Sequence, residues 1–585
     1  MDTTSPKSRD RIRKAVIDEI RSSEASTLVL KSRLNELAPI SRFPSEVLAG
    51  IFSLLSIRAW NEGEGISAWI HVTHVCRRWR ETALNYPPLW THINFTKLTS
   101  VGMAETLFRA KLGPLHLEAH LRKRSANRFE VIGRKLTDHI SHTRHLRISG
   151  CDPSIVIKWL ITPTPDLESL TLSYTGADHV TVPDNLFKCT APSLTTLQLR
   201  DCNIDWKSPL LRGLRILKIH GMSAEAIPEL NDWLDTLDEM TQLKELSVQL
   251  STPRAPLADP LTSRTVTLPS LTHFKIFDFA KDCALALAHL VFPALTCLHV
   301  LVISHDQEGE DVRLVIPSIV QNACVVHDFE PIRSILIEDE KMYTDILTWT
   351  TPGADVQVHG SAISDNMSRS ACFLFSARGD EWNSGVNSAI ADAVLTLLPM
   401  NSVSTLSAQS KLDTSIGLNK GFWLKYASRL PLLEQARLDR TTAGGFWEML
   451  AEDIPLDSDS PQLPMLTKLI LCNVELSSKA IRQMRDTLIK RVEQGVPLEN
   501  LDLSKSPAGK YAVKILSEIV VDVQKRGYEG KEYGRVLQNR DEFDDGRGIR
   551  YSDTDEDDSD TDEDEYEDED DIYRARTMGL IVRIR

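Results

Sequence analysis

Apolar residues recur along this chain in a short frame: apolar, two variable, apolar, one variable, apolar. It starts at Leu112, Leu167, Leu194, Leu214, Leu243, Leu271, Leu295, Ile332, Leu466 and Leu498. Degenerate copies start at Thr143 and Leu433, the second with Ala436 at its middle position. From 143 to 295 successive starts are 24, 27, 20, 29, 28 and 24 residues apart. The last two apolar positions of a frame lie on one face of a strand, and the residue between them points the other way. A proline stands two residues ahead at Pro165, Pro192, Pro269, Pro293 and Pro464, a strand entry where no ladder donor is lost. One unit cannot bury its apolar face alone, so the units should stack side by side as parallel strands.

The spacing overlaps that of leucine-rich repeats. The asparagine of that consensus is mostly missing; Asp201-Cys202-Asn203 and Cys472-Asn473 are the nearest approaches. The expected fold class is therefore α/β: an N-terminal helical unit, then an irregular leucine-rich-repeat-like solenoid over residues 105–510. Strands would line its concave face, with helices or irregular segments on the convex face. The stretch 340–430 has no clean frame and reads as two distorted repeats or an insertion.

The flanks differ in character. Residues 1–37 read as a charged helix, with Val16 and Ile20 and then Leu30, Leu34 and Leu37 at helical spacing. The pattern predicts one stripe packed onto its neighbour. The alternative, a coiled-coil partner site, is interrupted by Ser22, Ser23, Ser26 and Thr27. Residues 511–540 read as a C-terminal helical cap and 541–575 as a disordered acidic tail. Beyond it, Leu580, Ile581, Val582 and Ile584 suit a short strand.

Charge sharpens this picture. The 585 residues carry a net charge of −15, yet residues 553–571 alone hold fifteen acids and no base. Removing those from the 82 acids leaves 67, equal to the 67 Lys and Arg. The body is neutral, which argues against general nucleic-acid binding. Ser552, Thr554, Ser559 and Thr561 stand next to acids, a setting that suits acidophilic kinases. Nine scattered cysteines without a C-x-x-C pair suggest buried thiols in a reducing cytoplasmic or nuclear setting. No apolar run approaches the length of a membrane span, and the N-terminus lacks the apolar stretch of a secretory signal.

The chain contains no phosphate-loop, nucleophile-elbow or H-E-x-x-H motif. His139, His142 and His145 recur every third residue but have arginines among them and no cysteine of suitable spacing. Surface histidines at a repeat boundary are the reading, and the same holds for His116 and His120. Arg77, Arg78 and Arg80 have no stacking aromatics that would make a nucleic-acid patch. No metal, no cofactor and no enzymatic activity are expected.

Residues 38–92 form a distinct helical unit. Pro44, Ser45 and Glu46 open a helix whose apolar residues are Val47, Leu48, Ile51, Phe52 and Leu55. Gly63 and Gly65 break the chain, and Trp69, Val72, Val75, Cys76 and Trp79 supply a second stripe closed by Pro87-Pro88. This unit resembles the F-box, roughly L-P-x-E-I-L-x-x-I-F-x-x-L followed by V-C-R-x-W. Phe43 replaces the leading leucine; Pro44, Glu46, Leu48, Ile51, Phe52, Val75, Cys76, Arg77 and Trp79 stand in place. The polar linker Ala59–Gly65 is longer than in compact members. The charged N-terminal helix and the closing YPPLWTHINF look like the expanded fungal F-box proteins with degenerate leucine-rich repeats.

The resemblance implies a non-catalytic adaptor for protein substrates. The F-box would dock on a Skp-type adaptor and through it join a cullin–RING ubiquitin ligase, while the repeats hold the substrate. Pro44, Leu48, Ile51, Phe52 and Leu55 would face the adaptor; Val75, Cys76 and Trp79 would hold the unit's core. A scaffold that uses the F-box without promoting ubiquitination is the alternative. On the repeat register the concave face carries Arg147, Gln198, Arg200, Lys218, His220, Glu245, His273, Lys275 and His299. Arg147, Arg200, Lys218 and Lys275 are the candidate substrate face, mildly basic and suited to an acidic or phosphorylated segment or to the chain's own tail.

Overall fold

The computed structural model describes residues 6–524, except 122–125, 151–156, 158, 177–178, 190, 256–263, 324–330, 341–342, 352–371, 380–385, 411–417, 453–460, 475 and 507–509. These lie in one compact unit, Met1–Tyr528. The expected acidic tail, the strand at 580–584 and the cap beyond residue 524 fall outside the described residues. Of that cap, a helix Lys510–Leu516 and a strand Asp522–Gln524 are described. No described helix is long and apolar enough to cross a membrane.

Helix α1 spans Pro6–Glu36. A single turn leads into α2, Ser45–Asn61, then α3, Ile66–Trp69, and α4, Arg77–Leu84. The chain next enters a sheet of seventeen strands among the described residues. Its first strands are β1 His92–Asn94, β2 Leu115–Leu121, β3 Thr143–Gly150, β4 Ser169–Tyr174 and β5 Thr196–Arg200. There follow β6 Ile216–His220, β7 Glu245–Gln249, β8 His273–Phe279 and β9 Cys297–Ser304. The last are β10 Ser334–Glu340, β11 Tyr343–Trp349, β12 Phe373–Gly379, β13 Thr405–Ser410, β14 Gln435–Asp439, β15 Lys468–Cys472, β16 Asn500–Lys505 and β17 Asp522–Gln524.

Each of the twelve frames falls on a strand, from β2 to β10 and from β14 to β16. From β1 to β9 neighbours in sequence pair in parallel, in one register. Leu117, Leu146, Leu170, Leu197, Leu217, Leu246, Phe274 and Leu298 form one row across the sheet. All are buried, as is the next inward row, which includes Ile148, Leu172, Leu199, Ile219, Val248, Ile276 and Val300. Helices such as Leu230–Asp238 and Ala280–Ala288 bury apolar faces in the same continuous core. Trp233, Leu234 and Leu237 come from the first of these.

The progression breaks after β9. Its next neighbour in the sheet is β12, which pairs antiparallel with β11, and β11 pairs antiparallel with β10. Only then does parallel order resume, from β10 to β13 and on to β17. The frame at Ile332 is thus separated from the frame at Leu295 by two strands that come later in sequence. Strands β11 and β12 are buried on both faces, so they lack the alternation by which a half-buried strand is recognised.

Arginines anchor the loops ahead of the later strands. Arg429 donates to the carbonyls of Leu395 and Leu398 at 2.8 and 2.7 Å. Arg491, on the helix Ser478–Glu493, donates to those of Gln462 and Leu463 at 2.8 and 3.1 Å. Burial lowers the Arg491 pKa to about 10, so the group stays charged and its bonds are charge-assisted. Arg491→Met should lower unfolding free energy by about 2–3 kcal/mol, because loop carbonyls lose a charged donor. Arg485→Met, at an exposed position of the same helix, should change it by under about 0.5 kcal/mol. Urea denaturation of both variants checks this; equal losses would mean that water replaces the guanidinium without cost.

Candidate functional site

In α2 the residues Leu48, Phe52, Ser56 and Ala59 recur at i, i+4, i+8 and i+11, and all are buried. Helix α4 closes over them, with Trp79 tilted against Phe52 at 5.1 Å between ring centroids. Trp69 meets Trp90 edge-on at 5.0 Å, and the Trp90 indole donates to the Ala83 carbonyl at 2.8 Å. Ser56 donates to the Leu89 carbonyl at 3.3 Å, so its hydroxyl is satisfied inside the unit. The Arg78 guanidinium reaches across to the carbonyls of Ser41 and Phe43 and ties down the entry to α2. Gly63 and Gly65 hold φ near +69° and +72°, a left-handed turn that only glycine adopts cheaply.

The adjacent stripe of α2 is Val47, Ile51, Leu54 and Leu55, at i, i+4, i+7 and i+8, and all four are exposed. Leu54 is the most open, at 69%. Pro44 is exposed beside it at the head of the helix. Two of the residues expected to face an adaptor therefore lie elsewhere: Leu48 and Phe52 point into the core, a quarter-turn away from Ile51 and Leu55. Val75, expected in the core, is 56% exposed, while Cys76 and Trp79 are half-buried. Leu54 is not among the residues that the sequence pattern marks out. Its position three residues after Ile51 was the signal, hidden because α2 is apolar on almost every side.

The outward residues of the sheet also form rows. Glu118, Arg147, Thr171, Gln198, Lys218, Ser247, Lys275 and His299 stand side by side on adjacent strands. Arg200 lies one row over, beside His220. Lys218 pairs with Glu245 at 2.6 Å and Arg147 approaches Glu118 at 3.7 Å, so the row is less basic than its cations alone suggest. His220 has its pKa lowered to about 3, first by burial and then by Arg200, Lys275 and Lys218. Its Nε2 lies 3.0 Å from the Ser247 hydroxyl. His299 is buried, with Nε2 3.2 Å from the Cys297 sulfur, and is not part of an accessible face.

Of the repeat-boundary histidines noted in the sequence, His120 lies with Nδ1 2.9 Å from the Ser149 hydroxyl, and the other four separate into two groups. His139 and His142 meet each other at 3.2 Å, and His142 also contacts the Gly113 carbonyl at 2.8 Å. Among the described residues no group of three or more His, Cys, Asp or Glu could hold a metal ion. His145 instead joins a stack. The rings of His92, His116 and His145, in register on β1, β2 and β3, lie 4.3 and 4.4 Å apart and nearly parallel. Trp60 of α2 meets the His92 end of the stack tilted, at 5.4 Å between ring centroids.

Burial is the first cause that lowers all three histidine pKa values, and mutual repulsion lowers those of His92 and His116 further. His116 falls to about 3, while Glu168, 3.9 Å from His145, works in the opposite direction there. A folded pKa below the unfolded value of about 6.5 favours the neutral ring. The unfolded chain then binds more protons, so stability is full above about pH 6.5 and is lost as pH falls toward 3. The loss is at most about 1.4 kcal/mol per pH unit for each proton, less where solvent screens half-exposed rings. His116→Phe keeps a stacking ring that cannot charge, and should reduce the fall in urea midpoint between pH 7 and pH 5. An unchanged fall would remove the stack as its source.

Against known proteins, residues 40–96 match the F-box-like family model. No curated protein matches the chain. The matched segment contains the whole of α2 to α4 and ends just past β1, so the unit built on Leu48, Phe52 and Trp79 is an F-box-like domain whose last segment is the first strand of the sheet.

Proposed function

We propose that this chain is the non-catalytic substrate-recognition subunit of a Skp–cullin–F-box type ubiquitin ligase. The observation that carries the reading is the F-box-like match at residues 40–96, which the exposed stripe of α2 equips with a docking face. Val47, Ile51, Leu54 and Leu55 lie on a helix held rigid from behind by Leu48 and Phe52. Apolar anchors presented this way lose little freedom when a partner covers them. Pro44 and Phe43 extend the same face at its N-terminal end.

The remainder of the chain serves recognition of a protein substrate. Twelve apolar frames on in-register strands support an irregular leucine-rich-repeat-like solenoid, interrupted by the β10–β12 excursion. Its outward rows offer the substrate face, with Arg147, Arg200, Lys218 and Lys275 among side chains of mixed charge. The specificity of such a face lies in the shape and charge of the whole row rather than in any one motif.

Replacing Ile51 and Leu54 together by Asp should abolish capture of a Skp-type adaptor. Anchors at the centre of an interface commonly cost about 2 kcal/mol or more each, roughly thirtyfold in affinity. Both side chains are exposed, so circular dichroism of the variant should match the parent. Wild-type chain should also bring a cullin down with the adaptor. Undiminished adaptor capture by the double variant would remove α2 as the docking face; adaptor without cullin would leave a scaffold role instead.

A further inference from the structure

Helix α1 is 31 residues long, about 46 Å at 1.5 Å per residue. Every described side chain from Arg9 to Leu37 is exposed, and none of the core comes from this helix. The expected packing of one stripe onto the body is absent among the described residues. What stands in solvent instead includes Ile12, Val16, Ile20, Leu30, Leu34 and Leu37. An amphipathic helix takes most of its stability from packing its apolar face, and this one has no such packing among the described residues.

Positions 16, 20, 23, 27, 30, 34 and 37 alternate spacings of four and three, the seam of a two-stranded coiled coil. Leu28 and Val29 lie off that seam. The serines and threonines that break the apolar run do not break the helix. Thr27 donates its hydroxyl to the Ser23 carbonyl at 2.9 Å, and Ser26 donates to that of Ser22 at 3.0 Å. A hydroxyl satisfied within its own helix can enter a seam without leaving an unpaired donor. The polar centre weakens the seam and marks its register.

Charge decides the occupant. In the seam's frame, Arg13, Ile20, Thr27 and Leu34 take the first core position of each heptad, and Val16, Ser23, Leu30 and Leu37 the fourth. A parallel copy would set Glu19 against Glu24 on both sides and Arg13 against Arg13 in the core, with no attractive charge pair. An antiparallel copy sets Val16 against Leu34, Ile20 against Leu30 and Ser23 against Thr27. It also brings Glu19 to Arg33 twice and covers Leu37 with the Arg13 stem, leaving Glu24 against its own copy as the one repulsion. We propose that α1 pairs with α1 of a second copy of this chain as an antiparallel two-stranded coiled coil. The two F-box-like domains, which follow the C-terminal end of each α1, then stand at opposite ends of the seam. This pairing is independent of the adaptor reading.

Sedimentation equilibrium of the full chain tests it. The expected result is a reversible dimer, converted to monomer by Leu30→Asp, a change at an exposed site that leaves the body folded. Glu19→Lys should weaken the dimer about tenfold, and Glu19→Lys with Arg33→Glu should restore it. Mixing a Val16→Cys chain with a Leu34→Cys chain under diamide, then mass spectrometry of the peptides, reads orientation. A cross-link joining positions 16 and 34 supports the antiparallel seam. A cross-link joining position 16 only to position 16 overturns it. So does a chain that stays monomeric at every concentration, or a dimer untouched by Leu30→Asp.

Discussion

The apolar rows that run across the sheet hold the molecule together, because each strand from β2 to β9 buries its frame beside the same two positions of its neighbours. No strand carries enough apolar area to be stable alone, and the contacts that complete its burial come from the strands on either side and the helices behind. Register follows directly. A slip of one residue would turn Leu170 and Leu172 outward and bring Thr171 inward, so the buried rows fix the pairing more strongly than the backbone hydrogen bonds do. The same constraint sets every outward residue: Arg147, Lys218 and Lys275 share one row because the leucines beside them share another.

The F-box-like domain grows out of this arrangement. Its closing segment is β1, whose Ile93 pairs with Leu117 and enters the first buried row. The His92–His116–His145 stack runs along the outward side of the same three strands and meets Trp60 of α2 at its end, so the helical unit is joined to the sheet on both faces. Neutral imidazoles stack face to face without repulsion, whereas charged ones do not. Acid therefore acts against this junction, because burial disfavours the charged form of all three rings.

Around β9 to β12 the construction changes. There the sheet is buried on both faces, and the outward row that is polar elsewhere becomes Leu336, Leu347 and Leu374. Two strands are inserted between partners that the sequence makes consecutive, one of them antiparallel. The parallel order on either side is kept because β12 and β10 present the usual apolar rows to β9 and β13. The insertion thus leaves the core continuous, from Leu48 through to Val520.

How much of this the sequence determined depends on how local each pattern is. The frame at Leu167 or Leu466 is local: alternate leucines pick a face whatever strand lies beside them, so strand positions and the α/β class were legible. The F-box-like unit was legible for the same reason, through residue types at fixed spacing between Pro44 and Trp79. Only the tertiary structure decided which stripe of α2 turns inward, because Leu48 and Phe52 differ from Ile51 and Leu55 in what lies opposite them and not in chemistry. Pairing order around Ile332 was undecided likewise, since a frame says nothing about which neighbour will cover it. The acids Glu118 and Glu245 that offset the basic row, and the histidines that stack across three strands, come together from positions about 25 to 30 residues apart in the chain. Local sequence chose which face each repeat strand buries; the third dimension chose what covers it, and for α2 it chose the face as well.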